Sequence, residues 1–136
     1  LLYTGITRSA IEILTDQNNR TSENKKNLEE IVTQARKAKM MIIEKDYSGL
    51  GELLNNAWLC KKELSPSITN EQIDLMIKKL YSCGVNGAKL LGAGGGGYIL
   101  FEGNTQVMDS VRTLFPEKKI IPLDIDYSGS CILYAD

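Results

Sequence analysis

Five of the twelve glycines in this chain fall within six consecutive positions, Gly92-Ala93-Gly94-Gly95-Gly96-Gly97. Such a run does not survive inside a helix or strand, because each glycine there costs roughly 0.5–1 kcal/mol relative to alanine. The runs on either side, 87–91 and 98–102, are short and β-like, so the glycines read as a junction between two strands. Everything before them is dominated by helical spacing instead. The fold has to bring a few strands and many helices into one core of an ordinary 136-residue domain.

The opening residues 1–4 read as the end of a strand. A helix is expected over 9–17, with Ser9 and Glu12 at capping-box spacing. From 23 to 44, Leu28, Ile31, Val32, Ala35 and Ile42 mark one helical face, while lysines and glutamates give a wet opposite face. Leu50, Leu53, Leu54, Ala57 and Leu64 mark another helix. Thr69 and Gln72 form a second capping box, flanked by Ile68 and Ile73, and Ile73, Met76, Ile77 and Leu80 point to the core. Gly84 is a plausible C′ residue. Val107, Met108, Val111, Leu114 and Phe115 give the last helix, which Pro116 stops. Closing strands are expected over 119–125 and 131–134, with Ser128-Gly129 as the turn. The predicted class is α+β: a ferredoxin-like antiparallel sheet with helices on one face plus extra inserted helices. A Rossmann sheet does not fit, since strands and helices do not alternate throughout.

What the chain lacks narrows the chemistry. It has no histidine, which removes Ser-His and Cys-His nucleophile pairs and the H-E-x-x-H zinc site. Cys60, Cys83 and Cys131 form no C-x-x-C, so neither a disulfide framework nor a zinc site is expected. They read as buried thiols in a cytoplasmic protein. A formal net charge of −1 gives no support for nucleic-acid binding, and no apolar run reaches membrane-spanning length. The start has no initiator Met and lies inside an apolar run, which reads as a fragment of a longer protein.

The glycine loop can present backbone amides to an anion, or it can let another backbone pack closely; its residues leave both open. It is not a Walker A loop. Gly92, Gly94 and Gly97 match G-x-G-x-x-G, but a strand follows where a dinucleotide site needs a helix. The longer run Gly87-Ala88-Lys89-Leu90-Leu91-Gly92-Ala93-Gly94-Gly95-Gly96-Gly97-Tyr98 closely resembles the third motif of the GHMP kinases. Tyr3-Thr4-Gly5-Ile6-Thr7-Arg8-Ser9-Ala10, the stretch from Ala57 to Ser65 and the stretch from Ile68 to Asp74 resemble the branch with heptose 7-phosphate kinases.

The resemblance implies that residues 1–136 are a GHMP kinase C-terminal domain whose N-terminal nucleotide-binding domain is absent. It implies an ATP- and Mg2+-dependent kinase acting on a sugar or sugar phosphate, heptose 7-phosphate first, and inactive as this fragment. Another GHMP substrate, galactose- or mevalonate-type, or a non-catalytic ferredoxin-like binding module, are the alternatives. It assigns no catalytic or metal-binding residue to this chain, since the family's catalytic aspartate and phosphate-loop serines belong to the absent half. Ser48-Gly49-Leu50-Gly51-Glu52 only echoes that phosphate loop and reads as a helix start. Gly92, Ala93, Gly94, Gly95, Gly96 and Gly97 would close over the substrate cleft, and Gly95→Val is expected to lower activity while sparing the fold.

Four further residues are candidates for substrate binding. Arg8, at a strand-to-helix turn, can hold a phosphate bidentately or join a surface ion pair. Lys89 can meet a phosphate or stay solvated. Trp58 and Lys61, spaced i,i+3, can make an aromatic and cationic platform, or a core tryptophan with a snorkelling lysine. Asp124 and Asp126 read as a solvated strand face.

Overall fold

A computed structural model describes residues 1–132 and residue 134. The order is β1 (Leu2–Tyr3), α1 (Ala10–Asn19), α2 (Lys25–Glu44), α3 (Leu50–Lys62), a 3-10 turn (Pro66–Ile68), α4 (Glu71–Ser82), β2 (Gly87–Leu90), β3 (Tyr98–Glu102) and α5 (Thr105–Leu114). The strands form one antiparallel sheet in the order β1-β3-β2, with Leu2 and Leu90 both opposite Ile99. Leu2, Ala88, Leu90, Ile99 and Phe101 alternate onto its buried face. There they meet Trp58, Ile73, Ile77, Leu80 and Val111 from the helices. The α+β class holds.

The edge strand β2 is covered by α3, and two glycines make the approach possible. A Cβ on Gly87 would lie 1.8 Å from the carbonyl oxygen of Gly51, and a Cβ on Gly51 would lie 2.6 Å from the side-chain Cβ of Asn86. α4 begins one residue later than expected. Asn70, a stronger N-cap than threonine, accepts from the Ile73 amide at 3.1 Å, and Thr69 donates to Asp74 instead. Gly84 ends this helix at φ +87°. Asn104 caps α5 through the Val107 amide at 3.0 Å.

Four expectations need correcting. Of 119–125 only 119–121 run along β1, with Ile120 bridging Leu2, the Tyr3 amide donating to Lys119 and the Ile121 amide to Leu1, and beyond Ile121 Leu123 and Ile125 are exposed outside any strand. β1 is two residues long, so it offers too short an edge for a longer ladder. In 131–134, Cys131 and Ile132 are exposed and outside any strand, and Leu133 lies outside the described residues. The stripe on α2 is unsealed, with Leu28 and Val32 exposed, because α2 packs on α3 rather than on the sheet. No thiol is fully buried: Cys60 and Cys83 are partly covered and Cys131 is exposed. Among the described residues no helix is long and apolar enough to cross a membrane.

The Gly51–Gly87 contact makes a clear test. Gly87→Ala forces α3 away from β2 and is expected to cost at least about 1–3 kcal/mol, the usual range for overpacking. Urea unfolding followed by circular dichroism reads the loss as a lower midpoint.

Candidate phosphate-binding cleft

The loop from Leu91 to Gly97 turns β2 back into β3 using glycines for two separate reasons. Gly92, Gly94, Gly95 and Gly97 have φ of +70°, +122°, +71° and +92°, a region that side-chain-bearing residues enter only at a cost. Gly94 and Gly96 are also needed for room. A Cβ would stand 2.8 Å from Ile68 Cα at Gly94 and 2.4 Å from the Ile6 carbonyl oxygen at Gly96. The loop is pinned there by its own backbone, as the Gly95 amide donates to Ile68 at 2.7 Å and the Gly97 amide to Ile6 at 2.9 Å. Gly95→Val is therefore expected to strain the loop at its φ of +71°. Its side chain would strike Ile13 Cδ1, 2.7 Å from the Cβ position, and crowd Arg8.

The loop carbonyls are fastened by side chains from behind. Lys61 donates to Gly92 at 2.5 Å, Gln17 to Ala93 at 3.0 Å and Asn70 to Gly95 at 3.5 Å. In a planar trans peptide the next N–H points opposite to the carbonyl. The amides that follow these carbonyls belong to Ala93, Gly94 and Gly96, and among the described residues none of them has a hydrogen-bond partner. All three residues line a cleft of about 350 Å³, shared with Tyr3, Ile6, Thr7, Arg8 and Ala10. The larger groove of about 610 Å³ between α2 and α3 has no such convergence of amides.

The N-terminus of α1 opens on the same cleft. Ser9 is its N-cap, but its side chain makes no capping bond, so the expected Ser9–Glu12 box is not formed. The first-turn amides and the helix dipole are left to attract an anion. Arg8 lies on the cleft rim, is exposed, and has no ion-pair partner among the described residues. Among the described residues no carboxylate lines the cleft.

The other candidates lie elsewhere. Trp58 is 2% exposed and belongs to the core, so the Trp58–Lys61 platform does not exist. The cation over its ring is Lys62, at 5.7 Å, because the two are a full helical turn apart while Lys61 faces β2. Lys89 sits half-buried on β2, away from the cleft lining. Burial lowers the pKa of Lys61 to about 8, helped by the charge of Lys89, and burial lowers that of Lys89 as well. Asp126 is exposed outside any strand, where it accepts from the Ser128 amide at 2.7 Å.

One buttress escaped the sequence reading. Asp16 on α1 accepts from Ser65 and, at 3.4 Å, from Ser67, and pairs with Arg20 at 3.2 Å. These bonds tie α1 to the 3-10 turn that supplies the Ile68 carbonyl to the loop. The hydroxyl of Ser65 first, and then Arg20, hold the Asp16 carboxyl below its usual value of 3.8. Its contribution to stability is therefore present above that value and is lost as pH falls through the lowered one.

With this geometry in hand, comparison with known proteins is direct. Residues 40–116 match the family described as GHMP kinases C terminal, more than half of the chain. The chain belongs to the GHMP kinase family. It is 28% identical over 103 residues to the D-glycero-alpha-D-manno-heptose 7-phosphate kinase of Campylobacter jejuni, covering 74% of this chain and 30% of that protein. The crystal structure of L. major mevalonate kinase in complex with R-mevalonate superposes with a TM-score of 0.71 at 18% identity, over 85% of this chain and 36% of the other. That likeness supports the fold.

The Asp16 buttress predicts an acid signature. Asp16→Asn is expected to lower the thermal midpoint at pH 7, with the gap to the unaltered chain closing below about pH 3.8. Melting curves across pH 2–7 check it.

Proposed function

We propose that residues 1–136 are the C-terminal domain of an ATP-dependent kinase that phosphorylates a hydroxyl of a sugar phosphate, heptose 7-phosphate being the first candidate. The nucleotide-binding domain then lies in a part of the protein outside this chain, which spans 30% of the curated relative. The observation that carries this reading is the convergence of Arg8, the uncapped start of α1 and the loop amides of Ala93, Gly94 and Gly96 on one cleft. Amides and a guanidinium that face no carboxylate suit phosphate oxygens. A neutral galactose-type acceptor would give Arg8 no anion to hold, and a mevalonate-type acceptor would offer it a carboxylate in place of a phosphate. We infer a cytoplasmic site of action, in keeping with its free thiols.

Phosphoryl transfer asks a protein chiefly for positioning and for donors aimed at developing charge. In this reading Arg8 grips the acceptor's own phosphate with its planar fork and so orients the sugar. The loop amides meet oxygens near the transferred group, and the fastened carbonyls keep those amides from rearranging. Magnesium needs hard oxygen ligands, and among the described residues this cleft offers no carboxylate. The metal would be held by the nucleotide and by residues outside this chain, so none of its chemistry is assigned here.

Steady-state kinetics on the full-length protein, with each substrate varied separately, test the reading. Arg8→Ala is expected to raise the apparent constant for the sugar phosphate about 10- to 150-fold and leave that for ATP nearly unchanged. Arg8→Lys should recover part of the loss, since a point charge cannot reproduce a bidentate fork. Equal losses for both substrates would make Arg8 a folding residue. Absence of any loss would remove it from the site.

A further inference from the structure

Of the lysines near the loop, Lys61 is bonded to it. It stands on the last turn of α3, and its Nζ bridges the carbonyl oxygens of Leu90, at 3.0 Å, and Gly92, at 2.5 Å. The ammonium thus spans the point where β2 gives way to the loop. A lysine kept there for structure alone would be expected to meet a carboxylate, because half-buried charges are usually paired. Among the described residues Lys61 forms no ion pair. From β2 the charged group acting on it is Lys89, of the same sign. Beside it on α3, Lys62 turns away over the Trp58 ring. From the loop it receives carbonyl dipoles and nothing charged.

The Gly92 carbonyl and the Ala93 amide belong to one peptide plane, so holding the oxygen sets the direction of the N–H. We propose that Lys61 is a positioning residue that aims the Ala93 amide into the cleft, so that the loop's affinity for phosphate oxygens depends on the charge of this ammonium. The proposal rests on the phosphate reading of the cleft given above. Its sign follows from linkage. An anion gathered by the loop favours the charged lysine, so affinity is greatest below the lysine's pKa and declines as pH rises through it. The neutral amine still donates, but charge-assisted bonds are about twice as strong, so the clamp slackens without vanishing. With a pKa of about 8, the change falls just above neutrality.

The 136-residue chain labelled with 13C and 15N provides the test. The carbonyl 13C resonances of Leu90 and Gly92 are expected to titrate together, with a midpoint near 8 that matches the Lys61 side chain's own. Lys61→Arg should abolish that inflection while keeping the low-pH shifts, and Lys89→Met should move it upward by removing a like charge. Tripolyphosphate serves as the anion probe. From pH 7 to 9 its dissociation constant should rise about fivefold more in the unaltered chain than in Lys61→Arg, which carries the same titrations of the probe and of the Leu1 amine lining the cleft, fivefold being the low end of ordinary site-to-site coupling. Lys61→Met, which donates no hydrogen bond, should bind no more tightly than the unaltered chain does at high pH and should show none of its pH dependence from Lys61. If that variant does not fold, the unaltered chain and Lys61→Arg still decide. Static carbonyls, with tripolyphosphate binding that depends on pH equally in the unaltered chain and in Lys61→Arg, would overturn the clamp and keep the phosphate reading. Titrating carbonyls with no tripolyphosphate binding at any pH would overturn the phosphate reading and the coupling, leaving Lys61 a structural clamp alone.

Discussion

Two backbone hydrogen bonds, from the Gly95 amide to Ile68 and from the Gly97 amide to Ile6, hold the glycine loop against the rest of the domain. Much of the site depends on them. They dock the β2–β3 junction onto the segment after β1 on one side and onto the turn before α4 on the other. Side chains at Gly94 or Gly96 would prevent that approach. The loop is thus as rigid as the elements it touches, although it has no regular structure of its own. Rigidity matters because a donor that must be ordered when a ligand arrives loses part of its interaction energy to entropy.

The electrostatics extend the same logic. The described residues form three ion pairs, all exposed and all between neighbours on one helix, where such pairs add little. Arg8, Lys61 and Lys89 take no part in them. Two of these cations are partly desolvated and repel one another, which the fold tolerates at some cost. Of the three, Arg8 alone lines the cleft beside the uncommitted amides, which is where the proposed anion would find its charge.

How far the sequence was legible depended on whether a feature was local. The glycine junction, α4 and α5 were readable because composition and spacing within a dozen residues determine them. The loop's dual character was readable only as an alternative, since Ile6 and Ile68 are the neighbours that make Gly94 and Gly96 necessary. Spacing put Trp58 and Lys61 near one another on α3, but which of them faces the core depends on where β2 lies. That in turn depends on Gly51 meeting Gly87 across the domain. The closing strands were overestimated because alternation marks a segment that can pair, while pairing needs a partner, and β1 offers two residues. Asp16 and Ser65 carried no signal at all, being 49 positions apart.

The arrangement of the loop also clarifies what its glycines can reveal when altered. At Gly94, Gly95 and Gly96 an added side chain meets other atoms, so a loss of function there would not separate chemistry from packing. At Gly92 a Cβ meets nothing within 4 Å, and the cost is confined to its φ of +70°, about 1–2 kcal/mol for a left-handed residue. Even there the backbone would relax against the Lys61 bond to the Gly92 carbonyl. The side chains behind the loop carry the cleaner information, because Lys61, Gln17 and Asn70 hold its carbonyls without lining the cleft. The glycines permit the shape, whereas the carbonyl clamps select which way its amides face.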